Sequence, residues 1–244
     1  MAASRTCLVL GDGDFAFSAR LASTRRFSTV TASTIDSERD LESRYPETFP
    51  VHRQLILAQG GRCIYELDAR RLGDTVPPYI SLHGAFDSVC WHNPYTAVAE
   101  QGSHRALAAR KAHKKLLRNF LACAPAVLRP GSAATLVLSI NPSTRLIGAD
   151  FLLPAASASG FRLHREYPFE RGGREHEYIL RYGDDRDRKK QNKTYTKRSI
   201  RTYEFFLDSK GTAEAPRERN ESEEMDAGDV VVQTTKIKET KQEE

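Results

Sequence analysis

The stretch CLVLGDGDFAFS, Cys7–Ser18, restricts the fold more than any other part of the chain. An apolar run stops at Leu10, Gly11-Asp12-Gly13 follows at once, and Asp14-Phe15-Ala16-Phe17-Ser18 opens an apolar segment that can form a helix. A short continuous apolar run suits a parallel strand covered on both faces. Glycines let the backbone turn sharply and approach a ligand without a Cβ in the way. The amides at the start of the next helix then point at whatever sits there. The stretch reads as strand, ligand-binding turn and helix. Ala16 and Phe17 stand near the place of the third glycine of a dinucleotide loop, so an ordinary tight turn remains the alternative.

The same alternation continues. Strands are expected at Cys7–Leu10, Thr29–Ile35, Arg62–Leu67, Phe86–Trp91 and Ala134–Ile140, and helices at Phe15–Ala22, Glu38–Tyr45 and Arg105–Leu128. Strands alternating with helices predict an α/β chain with a mostly parallel, doubly wound sheet. Beyond Gly148 a small helix ends within Ala155–Gly160 and a strand covers Phe161–Phe169. Tyr178–Tyr182 and Thr202–Leu207 compete as the last strand. Residues 1–207 are expected to form one Rossmann-like domain with a basic loop at about 184–201, and 208–244 a polar, acidic, disordered tail.

Charge divides at the same point. Asp208–Glu244 holds 11 acids and 6 bases, which leaves 31 bases against 21 acids in the body. A basic body favours an anionic partner, nucleic acid first. No apolar run is long enough to span a membrane. Met1–Thr6 leads straight into the first strand, so no presequence is expected. The cysteines at 7, 63, 90 and 123 form no CxxC pair and sit in or beside apolar runs, which predicts buried, unbridged thiols and a reducing compartment. No zinc-ligand pattern, HExxH, GxSxG or GxxxxGK[ST] occurs. No metal is expected.

Two more acids point to an adenosine-type cofactor. Asp36 closes the second expected strand, 23 residues past Gly13, where an acid in dinucleotide-type folds binds ribose hydroxyls. Asp68 ends the third in YELDARRL, where it can face an adenine amino group. Helix capping is the competing role for both. Asp12 and Asp14 put negative charge in the turn, which suits the ammonium of S-adenosylmethionine better than a pyrophosphate. The fourth strand, FDSVCWHNPYT, ends in His92, Asn93 and Tyr95, at the crevice formed by the carboxyl ends of the strands. Asn93-Pro94-Tyr95 also resembles a shortened NPPY loop of amino-methyltransferases, with a plain turn as the alternative.

Together LVLGDGDFAFS, TASTIDSERDLESRYP, YELDARRL and FDSVCWHNPYT resemble the Rossmann-like domain of eukaryotic large-subunit rRNA (uridine-N3)-methyltransferases. HKKLLRNFLACAPAVLRPGSAATLVLS resembles the helix and fifth strand of that family, and YTKRSIRTYEFFL its closing segment, over roughly residues 5–207. The resemblance implies a class I S-adenosylmethionine-dependent methyltransferase fold, with a mostly parallel seven-stranded sheet and helices on both faces. It implies S-adenosylmethionine as cofactor, rRNA or a pre-ribosomal particle as partner, and the nucleolus or nucleus as location, with the cytoplasm as alternative. Carried across, Gly11, Gly13, Asp14, Phe15 and Ser18 match the cofactor loop, with Asp12 between them, and Asp36 and Asp68 the ribose and adenine positions. Against the FNFPH-like fourth motif of the family the chain reads Trp91-His92-Asn93-Pro94-Tyr95, so only Pro94 agrees.

Uridine N3 reacts well only after losing its proton, so a general base or a hydrogen-bonded, anion-stabilising group is needed close to it. His92 can be that base, Asn93 can hold the uracil edge and Tyr95 can stack on it. From Gln101 to Ala149 there is no Asp or Glu, and Arg110, Lys111, Lys114, Lys115 and Arg118 share one helical face. That face is expected to meet RNA phosphates. Lys189, Lys190, Lys193, Lys197 and Arg198 around Tyr195 form a second RNA-binding stretch, or a nuclear localisation patch. A methyltransferase acting on rRNA is the leading reading. Its alternatives are a catalytically weak or inactive, RNA-binding ribosome assembly factor on the same fold, and an S-adenosylmethionine enzyme with an amino-group target.

Overall fold

The structure, a computed structural model, describes residues 5–72, 85–94, 103–130, 134–140, 148–168 and 200–208, with the side chains of 103–107 left aside. The elements run β1 (Thr6–Leu10), α1 (Ala16–Ser23), β2 (Thr29–Ser33), α2 (Glu38–Arg44), α3 (Phe49–Ala58), β3 (Arg62–Ile64), a 3-10 turn (Ala69–Arg71), β4 (Ser88–His92), α4 (Ser103–Val127), β5 (Thr135–Ile140), α5 (Ala149–Ala158), β6 (Phe161–Pro168) and β7 (Arg201–Leu207). The strands form one sheet in the order β3-β2-β1-β4-β5-β7-β6. All neighbours from β3 to β5 are parallel, and β7 runs antiparallel to both β5 and β6.

The period-two geometry of a strand divides the core in two. Leu8 and Leu10 of β1, Val89 and Trp91 of β4, and Leu136 and Leu138 of β5 pack with Leu117, Phe120 and Leu121 of α4 and Leu152 of α5. Cys7, Val9 and Cys90 point to the other face and meet Phe17 and Leu21 of α1. Phe15, Leu41, Phe49 and Ile56 join α1, α2 and α3 there. Every residue of β4 is buried, which explains why its sequence is apolar without alternation. The side chains of Cys7 and Cys90, 83 residues apart in sequence, meet at 3.7 Å in this layer. Burial pushes the Cys7 thiol well above its ordinary range, so it stays protonated.

Several boundaries differ from expectation. β2 ends at Ser33 and β3 at Ile64, because the next residues bond between loops: Thr34 donates to Ile64, Leu67 to Thr34 and Glu66 to Asp36. The sequence reading missed α3, whose Val51, Leu55 and Leu57 are exposed and blur the helical period. Arg201–Leu207 takes the inner place between β5 and β6. The competing Tyr178–Tyr182, the basic loop at 184–201 up to residue 199, and the tail from 209 lie outside the described residues. Among the described residues no helix is long and apolar enough to cross a membrane, and no group of three or more His, Cys, Asp or Glu is placed to hold a metal ion.

Candidate active site

From β1 the chain passes to β2 and β3 on one side and then crosses to β4 and β5 on the other. Strand order reverses between β1 and β4, and in open α/β sheets ligands bind at the carboxyl ends on either side of such a reversal. Leu10 and Trp91 are the last register pair of these two strands, so the turn from Gly11 and the turn at Asn93 leave the sheet side by side.

Gly11 has φ 61, and a Cβ there would lie 2.8 Å from Trp91 Nε1. Backbone conformation and packing both exclude a side chain. Nothing in the packing demands the second glycine: a Cβ on Gly13 would meet Tyr45 Oη at an ordinary 3.6 Å. Asp12 is buried beneath the turn. Its Oδ2 accepts from Ser18 N at 2.7 Å and Ser18 Oγ at 2.6 Å. Its Oδ1 is buried with no hydrogen-bond partner among the described residues. Burial raises this carboxyl from 3.8 to about 6, against the lowering effect of the Ser18 hydrogen bonds.

Other members of the loop engage the protein with their side chains. Asp14, expected to place charge in the turn, is turned to α3: its Oδ2 accepts from Thr48 Oγ1 at 2.9 Å and lies 3.6 Å from His52 Nδ1. Phe15 is fully buried, 5.6 Å from the Phe49 ring and 5.9 Å from Tyr65. It holds φ 63 at the N-cap of α1, a conformation uncommon outside glycine. Ser18 is also fully buried, and its side chain serves Asp12. These three build the loop from behind. The reason is spatial: α1 and α3 close over the segment that sequence proximity assigns to the ligand.

Asp36 sits in the turn three residues past β2 rather than closing the strand. It is partly exposed and paired to Arg44 at 2.9 Å, while Ser37 takes the N-cap of α2. Asp68 does not end β3. It caps the 3-10 turn, accepting from Arg70 N at 2.9 Å and holding the Arg70 guanidinium at 2.6 Å. The Arg70 hydrogen bond lowers its pKa. Capping, the competing role for this acid, is formed in the fold.

At the end of β4, His92 is 7% exposed, not at an open mouth. Its Nδ1 lies 2.7 Å from Ser139 Oγ, and its ring meets Phe17 edge-on at 4.3 Å. Asn93 follows with φ 52, a left-handed conformation that Asn tolerates better than most residues. Its N donates to Ser139 O at 2.7 Å, and its Nδ2 is buried without a partner among the described residues. Tyr95 lies outside the described residues. Residues strained to positive φ recur in the turns after β1, β3 and β4: Phe15, Glu66 and Asn93. Such strain concentrates where a ligand site over-determines the backbone.

On α4, Arg110, Lys111, Lys115 and Arg118 are exposed and Lys114 is half-buried, opposite the buried Leu116, Leu117, Phe120 and Leu121. Lys114 and Arg118 lean over the Phe151 ring of α5 at 5.0 and 5.3 Å. Lys189, Lys190, Lys193, Tyr195, Lys197 and Arg198 lie outside the described residues. Sequence reasoning missed Ser139 and Thr202. The signal was one hydroxyl inside the apolar TLVLSI.

The strand order, with its antiparallel inserted β7 and the turn at the β1–β4 reversal, defines the class I S-adenosylmethionine-dependent methyltransferase fold. A family model described as BMT5-like, rRNA (uridine-N3-)-methyltransferase BTM5-like, matches residues 8–176. The chain belongs to this family of rRNA methyltransferases. Among solved structures it is similar to a variant of the 16S rRNA (adenine(1408)-N(1))-methyltransferase from Catenulisporales acidiphilia, at 16% identity and TM-score 0.47, over 85% of this chain and 86% of that one. It is also similar to the 16S rRNA methyltransferase KamB, at 16% identity and TM-score 0.49, over 84% of this chain and 88% of that one. No curated protein matches it.

Proposed function

We propose that the crevice between the β1 and β4 turns holds S-adenosylmethionine and the target uridine together, with one buried, unpartnered polar atom on each turn assigned to each of them. The observation that carries this reading is the pair of buried atoms on adjacent turns, Asp12 Oδ1 and Asn93 Nδ2. A buried polar atom without a partner costs roughly 1–3 kcal/mol, and native folds retain few of them. One is a carboxylate oxygen and accepts. The other is an amide nitrogen and donates. The acceptor fits the ammonium of the cofactor, and the donor fits a uracil carbonyl.

Gly11 and Gly13 leave the backbone open to the cofactor, Asp12 holds its ammonium and Asp36 its ribose hydroxyls. When bound, S-adenosylmethionine supplies an activated methyl group. The side chains around it align uridine N3 and relieve it of its proton. Asn93 orients the uracil edge, and His92 takes the N3 proton. The exposed cations of α4 bind the RNA backbone, which fixes register and leaves the base to be read in the crevice. On this reading the protein works on pre-ribosomal RNA in the nucleolus, which imaging of the tagged protein checks.

The test is titration of the purified chain with S-adenosylhomocysteine, followed by transfer of labelled methyl to deproteinised rRNA and mapping of the modified nucleotide. Binding with label at a uridine N3 supports the reading. A chain that binds the compound and leaves rRNA unlabelled is a silent assembly factor, and no binding at all removes the cofactor assignment.

A further inference from the structure

Ser88, Cys90 and His92 of β4 share the face of the sheet opposite Val89 and Trp91. Register carries that face across three more strands: His92 is opposite Ser139 on β5, Ser139 is opposite Thr202 on β7, and Thr202 is opposite Tyr167 on β6. The side chains of the first three connect. His92 Nδ1 and Ser139 Oγ are 2.7 Å apart, and Ser139 Oγ and Thr202 Oγ1 are 2.9 Å apart. Ser139 and Thr202 are both buried. Ser139 also receives the backbone N–H of Asn93 on its carbonyl oxygen, so one residue holds both groups assigned to the uracil.

We infer that Ser139 and Thr202 are positioning residues for methyl transfer, forming a hydroxyl relay that keeps Nε2 of His92 the basic nitrogen; this rests on the reading of His92 as the base. A hydroxyl donates one hydrogen bond and accepts others. With the Ser139 hydroxyl hydrogen directed to Thr202, its lone pair faces His92 and accepts from Nδ1–H. That tautomer leaves the lone pair on Nε2. When the N3–H bond of uridine breaks and the proton joins Nε2, Nδ1–H is still held by the same oxygen, and the charged imidazolium gains a stronger hydrogen bond. The hydrogen bond made by one ring nitrogen sets what the other can do.

The chain's own geometry limits the alternatives. Phe17 meets the imidazole edge-on at 4.3 Å, so an apolar wall and the Ser139 hydroxyl both help hold the ring. Titratable or charged groups on the elements packed here include Cys7 on β1, Cys90 on β4, Glu204 on β7 with Arg165 of β6 beside it, Tyr167 on β6, Arg20 on α1, and Asp12 and Asp14 just before α1, while Arg201 and Tyr203 of β7 and Arg162, His164 and Glu166 of β6 flank this row. The Ser139–Thr202 pair is the link given by direct contact.

Two isosteric changes test the relay: Thr202→Val, which removes the second hydroxyl, and Ser139→Ala, with Thr202→Ser as the conservative rescue. The readouts are the nitrogen-15 spectrum of the His92 ring across pH in the full chain, and the pH profile of methyl transfer. Expected in Ser139→Ala is a mixture of tautomers, a lower titration midpoint of His92, and a roughly tenfold loss of kcat with KM for RNA unchanged. Thr202→Val shows the same changes in weaker form and Thr202→Ser restores them. If both hydroxyl deletions leave the His92 spectrum and the pH profile unmoved while His92→Ala abolishes transfer, the relay is wrong and the base assignment survives. If His92→Ala methylates normally, the base assignment and the relay fall together.

Discussion

Replacing Asp12 by Asn is expected to stabilise the ligand-free protein at neutral pH while weakening its hold on the cofactor. Burial raises the Asp12 carboxyl from 3.8 to about 6. By linkage that rise corresponds to about 3 kcal/mol. The sign follows from proton counts. Between the unfolded and folded values the native state binds more protons than the unfolded one, so this group's contribution to stability falls as pH rises through that window. Below pH 4 the penalty is absent, and above about pH 7 it is fully present. The amide that replaces the carboxyl keeps an oxygen for Ser18 N and Oγ and carries no charge, so the penalty disappears. The variant should therefore exceed the wild type by up to about 3 kcal/mol at pH 8 and by about half of that at pH 5. Urea unfolding of both proteins at the two pH values measures it. Titration with S-adenosylhomocysteine should show at least a tenfold loss of affinity in the variant, since an amide nitrogen now faces the ammonium. A stability difference between variant and wild type that is the same at pH 5 and pH 8 would refute the argument that a buried carboxylate bears this cost. Unchanged affinity would refute its assignment to the ligand.

Further outcomes can be checked with the same material. Gly11→Ala forces a left-handed residue and a clash with the Trp91 indole; it should cost about 2 kcal/mol or more in urea unfolding and abolish cofactor binding, whereas Gly13→Ala should be tolerated in the ligand-free fold. Asn93→Gly keeps the turn and removes the Nδ2 donor; it should retain affinity for S-adenosylhomocysteine and lower methyl transfer at least tenfold. Lys111→Glu with Lys115→Glu alters two exposed side chains on α4; it should weaken RNA binding in filter assays, with a salt slope shallower by roughly 0.7 for each single-strand phosphate no longer neutralised, and leave cofactor affinity unchanged.

The strand–turn–helix opening, the parallel core strands and the basic face of α4 were legible in the sequence, because each depends on residues close together along the chain. Leu8, Leu10, Val89 and Leu136 are apolar in runs because both faces of a parallel sheet are covered, and the lysines of α4 recur at helical spacing whatever they pack against. The direction of side chains within the opening loop was not legible. Asp12 and Asp14 are equivalent as letters two positions apart, but α3 captures one through Thr48 and His52, while the other stays beneath the turn with one oxygen unclaimed. Asp68 likewise meets its partner through the 3-10 turn, which sequence spacing cannot distinguish from an adenine contact.

The row joining His92, Ser139 and Thr202 was hidden for a deeper reason. Its members lie 47 and 63 residues apart, and they meet only because β4 pairs with β5 and β7 enters the sheet between β5 and β6. The amino-acid sequence by itself determined the α/β class, the ligand turn and the charged helix, since local periodicity and glycine chemistry act over a few residues. Tertiary structure alone decided which buried polar atoms lack a partner and which hydroxyls back the histidine, since strand order and register bring distant residues within hydrogen-bond reach.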